Sequence, residues 1–125
     1  MFNVIIAGTR TFLDYDLLCS KCDRFFSRIK PTSIICGEAC GADKLGKRYA
    51  EEHGIPVMSF PADWDKYGKA AGYIRNKQMA AHADALIVFW DGKSKGTRNM
   101  ITIAKENGLK CRIVLYKKYE KDIKE

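Results

Sequence analysis

The sequence predicts a single α/β domain on a mostly parallel five-stranded sheet, and three observations predict it. The apolar pattern switches repeatedly between strand-like and helix-like periods. The resulting order is strand then helix, four times over, then a last strand. The strands are short, rich in Ile and Val, and not alternating, so both of their faces are expected to be covered. Parallel strands joined by crossover helices on both faces describe a Rossmann-like, three-layer domain.

Phe2–Ala7 reads as a buried strand closed by Gly8. Residues Tyr15 to Ile29 form a helix pattern, with Leu18, Cys22, Phe25, Phe26 and Ile29 at three- to four-residue spacing and Asp14 as N-cap. Ser33–Cys36 is the second strand, ended by Gly37. Ala42–His53 is the second helix, with Leu45, Tyr49 and Ala50 facing inward and Gly54 as its stop. Ile55–Phe60 is the third strand and tolerates Pro56 near its start. Pro61–Gly72 reads as a long loop, Tyr73–His82 as the third helix and Ala85–Trp90 as the fourth strand. Gly96–Asn107 is the fourth helix, stopped by Gly108, and Cys111–Tyr116 is the last strand. The domain is expected over residues 1–116, with a charged tail over 117–125.

Composition narrows the class. A chain of 125 residues with 46% apolar content is one globular domain. No apolar run approaches the ~20 residues that span a bilayer. Met1-Phe2-Asn3-Val4 runs straight into a strand without a basic n-region, so a cytoplasmic location is expected and a membrane partner is not. Five scattered cysteines are no disulfide framework. Cys22 and Cys36 fall on buried positions, and His53 and His82 lie far apart at helix ends, so no metal site and no cofactor are expected. Cys40, in a glycine loop before a helix, is the one cysteine placed for reactivity. Twenty-two lysines and arginines against 15 aspartates and glutamates leave a net charge of +7. That excess favours an anionic partner, nucleic acid or a small phosphate ester. Part of it, in Lys117, Lys118, Lys121 and Lys124, reads as solvated surface charge.

The loops at the two ends of the strands differ in kind. Lys30-Pro31-Thr32 and Asn107-Gly108-Leu109 carry only turn chemistry. Three of the four loops leaving the carboxyl ends carry glycines beside basic or hydroxyl residues, and in open parallel sheets ligands sit at that end. Asp91-Gly92-Lys93-Ser94-Lys95-Gly96-Thr97-Arg98-Asn99 joins a strand to a helix, so its backbone N–H groups and the helix start are placed to attract phosphate. Gly8-Thr9-Arg10 follows the first strand, where glycine allows close approach and Arg10 can fork onto a phosphate. Gly37-Glu38-Ala39-Cys40-Gly41-Ala42-Asp43 opens the second helix, with two glycines for an anion and Asp43 as a helix cap or an acceptor for a ribose hydroxyl. It lacks the Gly-x-Gly-x-x-Gly dinucleotide fingerprint. Arg75-Asn76-Lys77 stands at the start of the third helix, where a cation opposes the macrodipole and an anionic neighbour would explain it. Trp64, Tyr67, Tyr73 and Trp90 lie in or beside these loops, as base-stacking candidates or as seals on the core edge. Glu38, Asp43, Asp63, Asp65 and Asp91 are the nearby carboxylates, and Glu38, Asp63 and Asp91 are the candidates for acid or base.

Gly8-Thr9-Arg10-Thr11-Phe12, Gly41-Ala42-Asp43, Pro61-Ala62-Asp63-Trp64, Tyr67 to Gly72, Ile74-Arg75-Asn76, Met79-Ala80 and Trp90 to Thr97 together resemble the YspA-related branch of the SLOG superfamily, over about residues 3–115. The resemblance implies a domain that binds nucleotides or nucleotide-derived ligands, often encoded by phages or near genome-conflict systems. It also implies a distant relation to the Lonely guy phosphoribohydrolases. Arg75-Asn76 aligns with their Arg-Lys pair and Gly92 to Thr97 with their Pro-Gly-Gly-x-Gly-Thr loop, but their glutamate position is Met100. A thioether neither stabilises an oxocarbenium ion nor handles a proton. The second loop also departs from Gly-Gly-Ala-Arg-Gly-Ala-Asp, with Glu38 and Cys40 in place of a glycine and a basic residue.

The expected function is binding or sensing of a phosphorylated, nucleotide-derived small molecule. The expected ligand-binding residues are Gly8, Thr9, Arg10, Gly37, Gly41, Asp43, Trp64, Arg75, Asn76, Trp90, Ser94, Lys95, Gly96 and Thr97. One alternative is a hydrolase cleaving the glycosidic or phosphate bond of such a ligand. Another is single-stranded nucleic-acid binding. A homo-oligomer is expected by analogy with the phosphoribohydrolases.

Overall fold

The computed structural model describes residues 1–117. Lys118, Lys121 and Lys124, and with them all of the expected tail but Lys117, lie outside the described residues. Five strands, β1 (Asn3–Gly8), β2 (Ser33–Cys36), β3 (Val57–Ser59), β4 (Ala85–Trp90) and β5 (Lys110–Leu115), form one sheet in the order β3-β2-β1-β4-β5. Every pairing is parallel. The chain builds outward from β1 in one direction to β3, then crosses back to β4 and β5. β1 and β4 are therefore neighbours, with Val4 opposite Ala85 and Gly8 opposite Phe89. The crevice between their carboxyl ends is the switch point where such sheets hold ligands.

Helices α1 (Tyr15–Phe25) and α2 (Ala42–Glu52) cover one face, where Val4, Ile6 and Ile34 meet Leu18, Cys22, Tyr49 and Ala50. Helices α4 (Ala71–His82) and α5 (Lys95–Glu106) cover the other, where Ile5, Ala7 and Val88 meet Met79, Ala80, Met100 and Ile103. Successive strand residues point to opposite faces, so two covered faces require the continuous Val-Ile-Ile and Leu-Ile-Val runs. Gly46 lets α2 lie close on β1, because a Cβ there would stand 2.6 Å from Ile6 Cγ2.

The structure departs from the sequence reading at several places, among them β3, which is shortened from Ile55–Phe60 to Val57–Ser59. α1 stops at Phe25, not Ile29, which is exposed. The Ser27 N–H and hydroxyl both donate to the Arg24 carbonyl, at 3.4 and 2.9 Å, in place of a further i→i−4 bond, ending the helix one turn early. The expected loop from Pro61 to Gly72 holds a short helix α3 (Trp64–Tyr67) and a 3₁₀ turn (Gly68–Ala70). Asp63 nucleates it by accepting a 3.1 Å hydrogen bond from the Lys66 N–H. α4 consequently begins at Ala71, so Arg75 stands in its second turn rather than at its start. The macrodipole argument for Arg75 therefore falls away. β5 is an edge strand, exposed at Lys110, Arg112, Ile113 and Leu115, so cover on both faces holds for the inner strands only.

Candidate functional site

A cavity of about 220 Å³ opens at the carboxyl ends of β1 and β4. β1 supplies Ala7 and Gly8, and the loop after it supplies Arg10. The β2–α2 segment contributes Ala39 and Asp43, α3 contributes Trp64, and the 3₁₀ turn contributes Lys69. α4 lines the cavity with Gly72, Tyr73, Arg75, Asn76 and Met79, and the start of α5 with Ser94, Gly96, Thr97 and Met100. Gly8 sits where it does because any side chain there would overlap the Phe89 carbonyl. Gly41 has φ 73° and packs against the carbonyls of Thr9 and Arg10, so both glycines bring loops together.

Arg75 organises the floor. Its guanidinium Nη1 donates to the Gly37 carbonyl, and Nε donates to Asn76 Oδ1 at 3.1 Å. Asn76 in turn donates to Asn99 Oδ1 at 3.0 Å, tying α4 to α5. Asp43 is buried at 5% exposure and accepts a 3.3 Å hydrogen bond from the Ala39 N–H. Burial pushes its carboxyl up to about 6, against the pull of Arg75 and of the backbone N–H groups of Ala39, Gly37 and Gly8. Burial also lowers the pKa of Arg75; Asp43 opposes that shift and the charge of Arg10 adds to it. Two guanidiniums that repel one another across a cavity leave positive potential in it.

Helix starts add to that potential. α1 and α3 are capped by the side chains of Asp14 and Asp63. α2, α4 and α5 have no side-chain cap, and all three begin at the cavity. The first N–H of α2 donates to the Thr9 carbonyl and that of α4 to the Gly68 carbonyl, so the start of α5 is the one whose first-turn N–H groups, at the positive end of the helix dipole, add most to the cavity.

Nine of the residues read from the sequence line this cavity: Gly8, Arg10, Asp43, Trp64, Arg75, Asn76, Ser94, Gly96 and Thr97. The others stand around it. Thr9 is buried, and its hydroxyl accepts the Asp91 N–H at 3.1 Å, joining the first and last site loops. Gly37 lies under Arg75, and a side chain there would overlap the guanidinium. Lys95 is exposed outside the lining. Trp90 donates its indole N–H to the Ser94 carbonyl at 3.1 Å and carries Arg98 over its ring, as a seal on the core edge.

The three acid/base candidates are each engaged elsewhere. Asp63 caps α3, and Asp91 Oδ1 accepts the N–H groups of Lys93 and Ser94, both at 2.8 Å. Glu38 accepts from Ser59 at 2.6 Å and pairs with Lys47 at 3.2 Å, and the Ser59 bond leads in holding its carboxyl below the usual range. It lines a smaller adjoining cavity of about 140 Å³ that also touches Arg10, Trp64 and Arg75. Lys69 and Ala39 join the lining without having been singled out in the sequence; Lys69 had only its position in the Tyr67–Gly72 motif as a signal. Met100, 2% exposed, reaches the cavity at the position read for the hydrolase glutamate. Among the described residues no three metal-ligating side chains gather, and no helix is long and apolar enough to cross a membrane.

A parallel α/β sheet with two arginines lining a crevice at its switch point is the Rossmann-like arrangement, in which open sheets hold ligands beyond their carboxyl ends. The particular family follows from comparison with known proteins. Residues 2–67 match the model of the YspA, cpYpsA-related SLOG family. The Gene 61 protein of Mycobacterium phage D29 is 32% identical, over 87% of this chain and 93% of the phage protein. The chain belongs to the YspA, cpYpsA-related SLOG family. No solved structure matches it.

Proposed function

We propose that the protein binds a phosphorylated, nucleotide-derived small molecule in the cavity between β1 and β4, and holds it without turning it over. The observation that carries this reading is the pair Arg10 and Arg75, two cations lining one cavity in which, among the described residues, the buried Asp43 is the one carboxylate. A phosphate between them relieves their repulsion and accepts charge-assisted hydrogen bonds. The N–H groups at Gly96 and Thr97 add donors from the start of α5. Trp64, 51% exposed, and Tyr73 at the rim offer aromatic faces to a base. Family membership supports a nucleotide-related ligand.

Binding is favoured over hydrolysis by the engagement of Glu38, Asp63 and Asp91 and by a buried thioether at Met100. Calorimetric titration with mono-, di- and cyclic nucleotides tests the site. Arg75→Ala is expected to weaken the best ligand tenfold or more, from the loss of about 1.5–3 kcal/mol in hydrogen bonds to charge. An unchanged affinity would remove Arg75 and this cavity from the binding site. Release of free base or phosphate from any member of the panel would replace binding with turnover.

A further inference from the structure

A second surface lies at the other end of the sheet. A groove of about 510 Å³ runs between the end of α1 and the edge strand β5, on the face that α1 covers. Arg24 and Arg28 stand on its α1 side, Lys110 and Arg112 on its β5 side, and among the described residues no carboxylate lines it. Lys110 and Arg112 are two residues apart on one strand, so they share a face at about 6–7 Å spacing. None of the four cations takes part in a salt bridge among the described residues. Among the described residues, the one hydrogen bond from these four charged groups is a long one, 3.5 Å, from Arg112 to the Cys111 carbonyl. The groove between the two charged sides is apolar. Phe2, Phe25 and the exposed Ile29 flank it, and the strand residues Val4 and Ile87 underlie it.

A protein surface ordinarily intersperses charges of both signs. Four cations of one sign, unpaired around an apolar groove, instead describe a binding site for a polyanion with apolar groups. We propose that this groove binds single-stranded nucleic acid, its phosphates on the four cations and its bases against Phe2 and Phe25. That pairing of a basic track with aromatic side chains is how single strands are held without sequence preference. A duplex hides the base faces the groove would contact. A second copy of this chain docked about a two-fold axis on this face would oppose like charges. An acidic peptide would satisfy the cations but has no planar group on every repeat unit to meet the phenylalanines.

The test is fluorescence anisotropy of a labelled twelve-nucleotide single strand titrated with the full chain. Saturable binding is expected, weakening about 50-fold between 50 and 200 mM salt if all four cations meet phosphates, at about −0.7 per phosphate in the log–log slope. The double variant R24E/R112E exchanges two exposed side chains, so it is expected to keep its thermal melt while losing tenfold or more in affinity with a shallower salt slope. R24E/R112E, with both substitutions outside the crevice, is expected to leave mononucleotide affinity unchanged, which separates failure of this site from failure of the nucleotide cavity. No saturable binding at 50 mM salt, or equal binding by R24E/R112E, would overturn the proposal. So would tighter binding of a twelve-base-pair duplex, or displacement of the single strand by an equimolar twelve-residue oligoglutamate peptide.

Discussion

Asp43 carries the site's least legible property. The sequence reveals it as the end of a glycine loop, offered as cap or hydroxyl acceptor. It does not reveal that Gly8, Gly37 and Ala39 would bring their N–H groups to it while α2 and β1 bury it. Burial depends on contacts between segments distant in sequence, and no local pattern encodes it. Because its folded-state carboxyl is raised from 3.8 to about 6, the folded protein holds that proton more tightly than the unfolded chain. Stability from this group is therefore fully present below about pH 4 and is lost as pH rises through about 6. Asp43→Asn removes the ionisation. The melting temperature of the variant, relative to wild type, is expected to rise between pH 4 and pH 7. A difference that stays flat or falls would mean that Arg75 compensates the buried charge in full. Glu38 is legible in the opposite sense. It departs from a glycine in the family motif, and its φ of 62° is a conformation that glycine adopts without cost. The bonds to Ser59 and Lys47 hold the side chain in that loop.

At the scale of elements, helix ends divide the structure into scaffold and site. Asp14 was readable as a cap because it precedes an apolar run at helical spacing, and it accepts the Leu17 N–H at 3.0 Å. Asp63 reads from the sequence as a carboxylate near the site, a candidate acid or base, and its capping role has no local signal because α3 buries none of its residues. A four-residue helix without a buried face leaves no pattern to find. The early stop of α1 was hidden for a related reason: Phe26 and Ile29 continue the spacing, but only Phe26 is buried. The contact between α2 and β1 permits a firm prediction. Replacing glycine by alanine inside a helix ordinarily gains up to about 1 kcal/mol. At Gly46 the added Cβ would fall 2.7 Å from Ile6 Cβ in the core. Overpacking of this kind costs about 1–3 kcal/mol. Gly46→Ala is therefore expected to lower the denaturation midpoint at unchanged slope. A raised midpoint would show that α2 can shift outward without loss.

For the whole molecule, the element order was legible and the strand order was not. Alternating periods reveal five strands and their crossovers, but nothing local says that β4 returns beside β1. That adjacency gathers Arg10, Arg75 and the start of α5 around one cavity. Because the cavity draws on β1, α2, α3, α4 and α5, an occupant ties most of the fold together. A nucleotide present at 100 times its dissociation constant is expected to stabilise the chain by about 2.7 kcal/mol, read as a rise in melting temperature that grows with ligand concentration. A rise that is equal in Arg75→Ala would place the occupant elsewhere.

β1 and β4 also act as a ruler. Their register pairs Val4 with Ala85 at the basic groove and Gly8 with Phe89 beside the crevice. Four residue steps of parallel strand separate those two rungs by about 13 Å. A mononucleotide in the crevice therefore cannot lean on the far groove. Hydrogen-bonded strands have little freedom to stretch, so the sheet fixes the distance between crevice and groove.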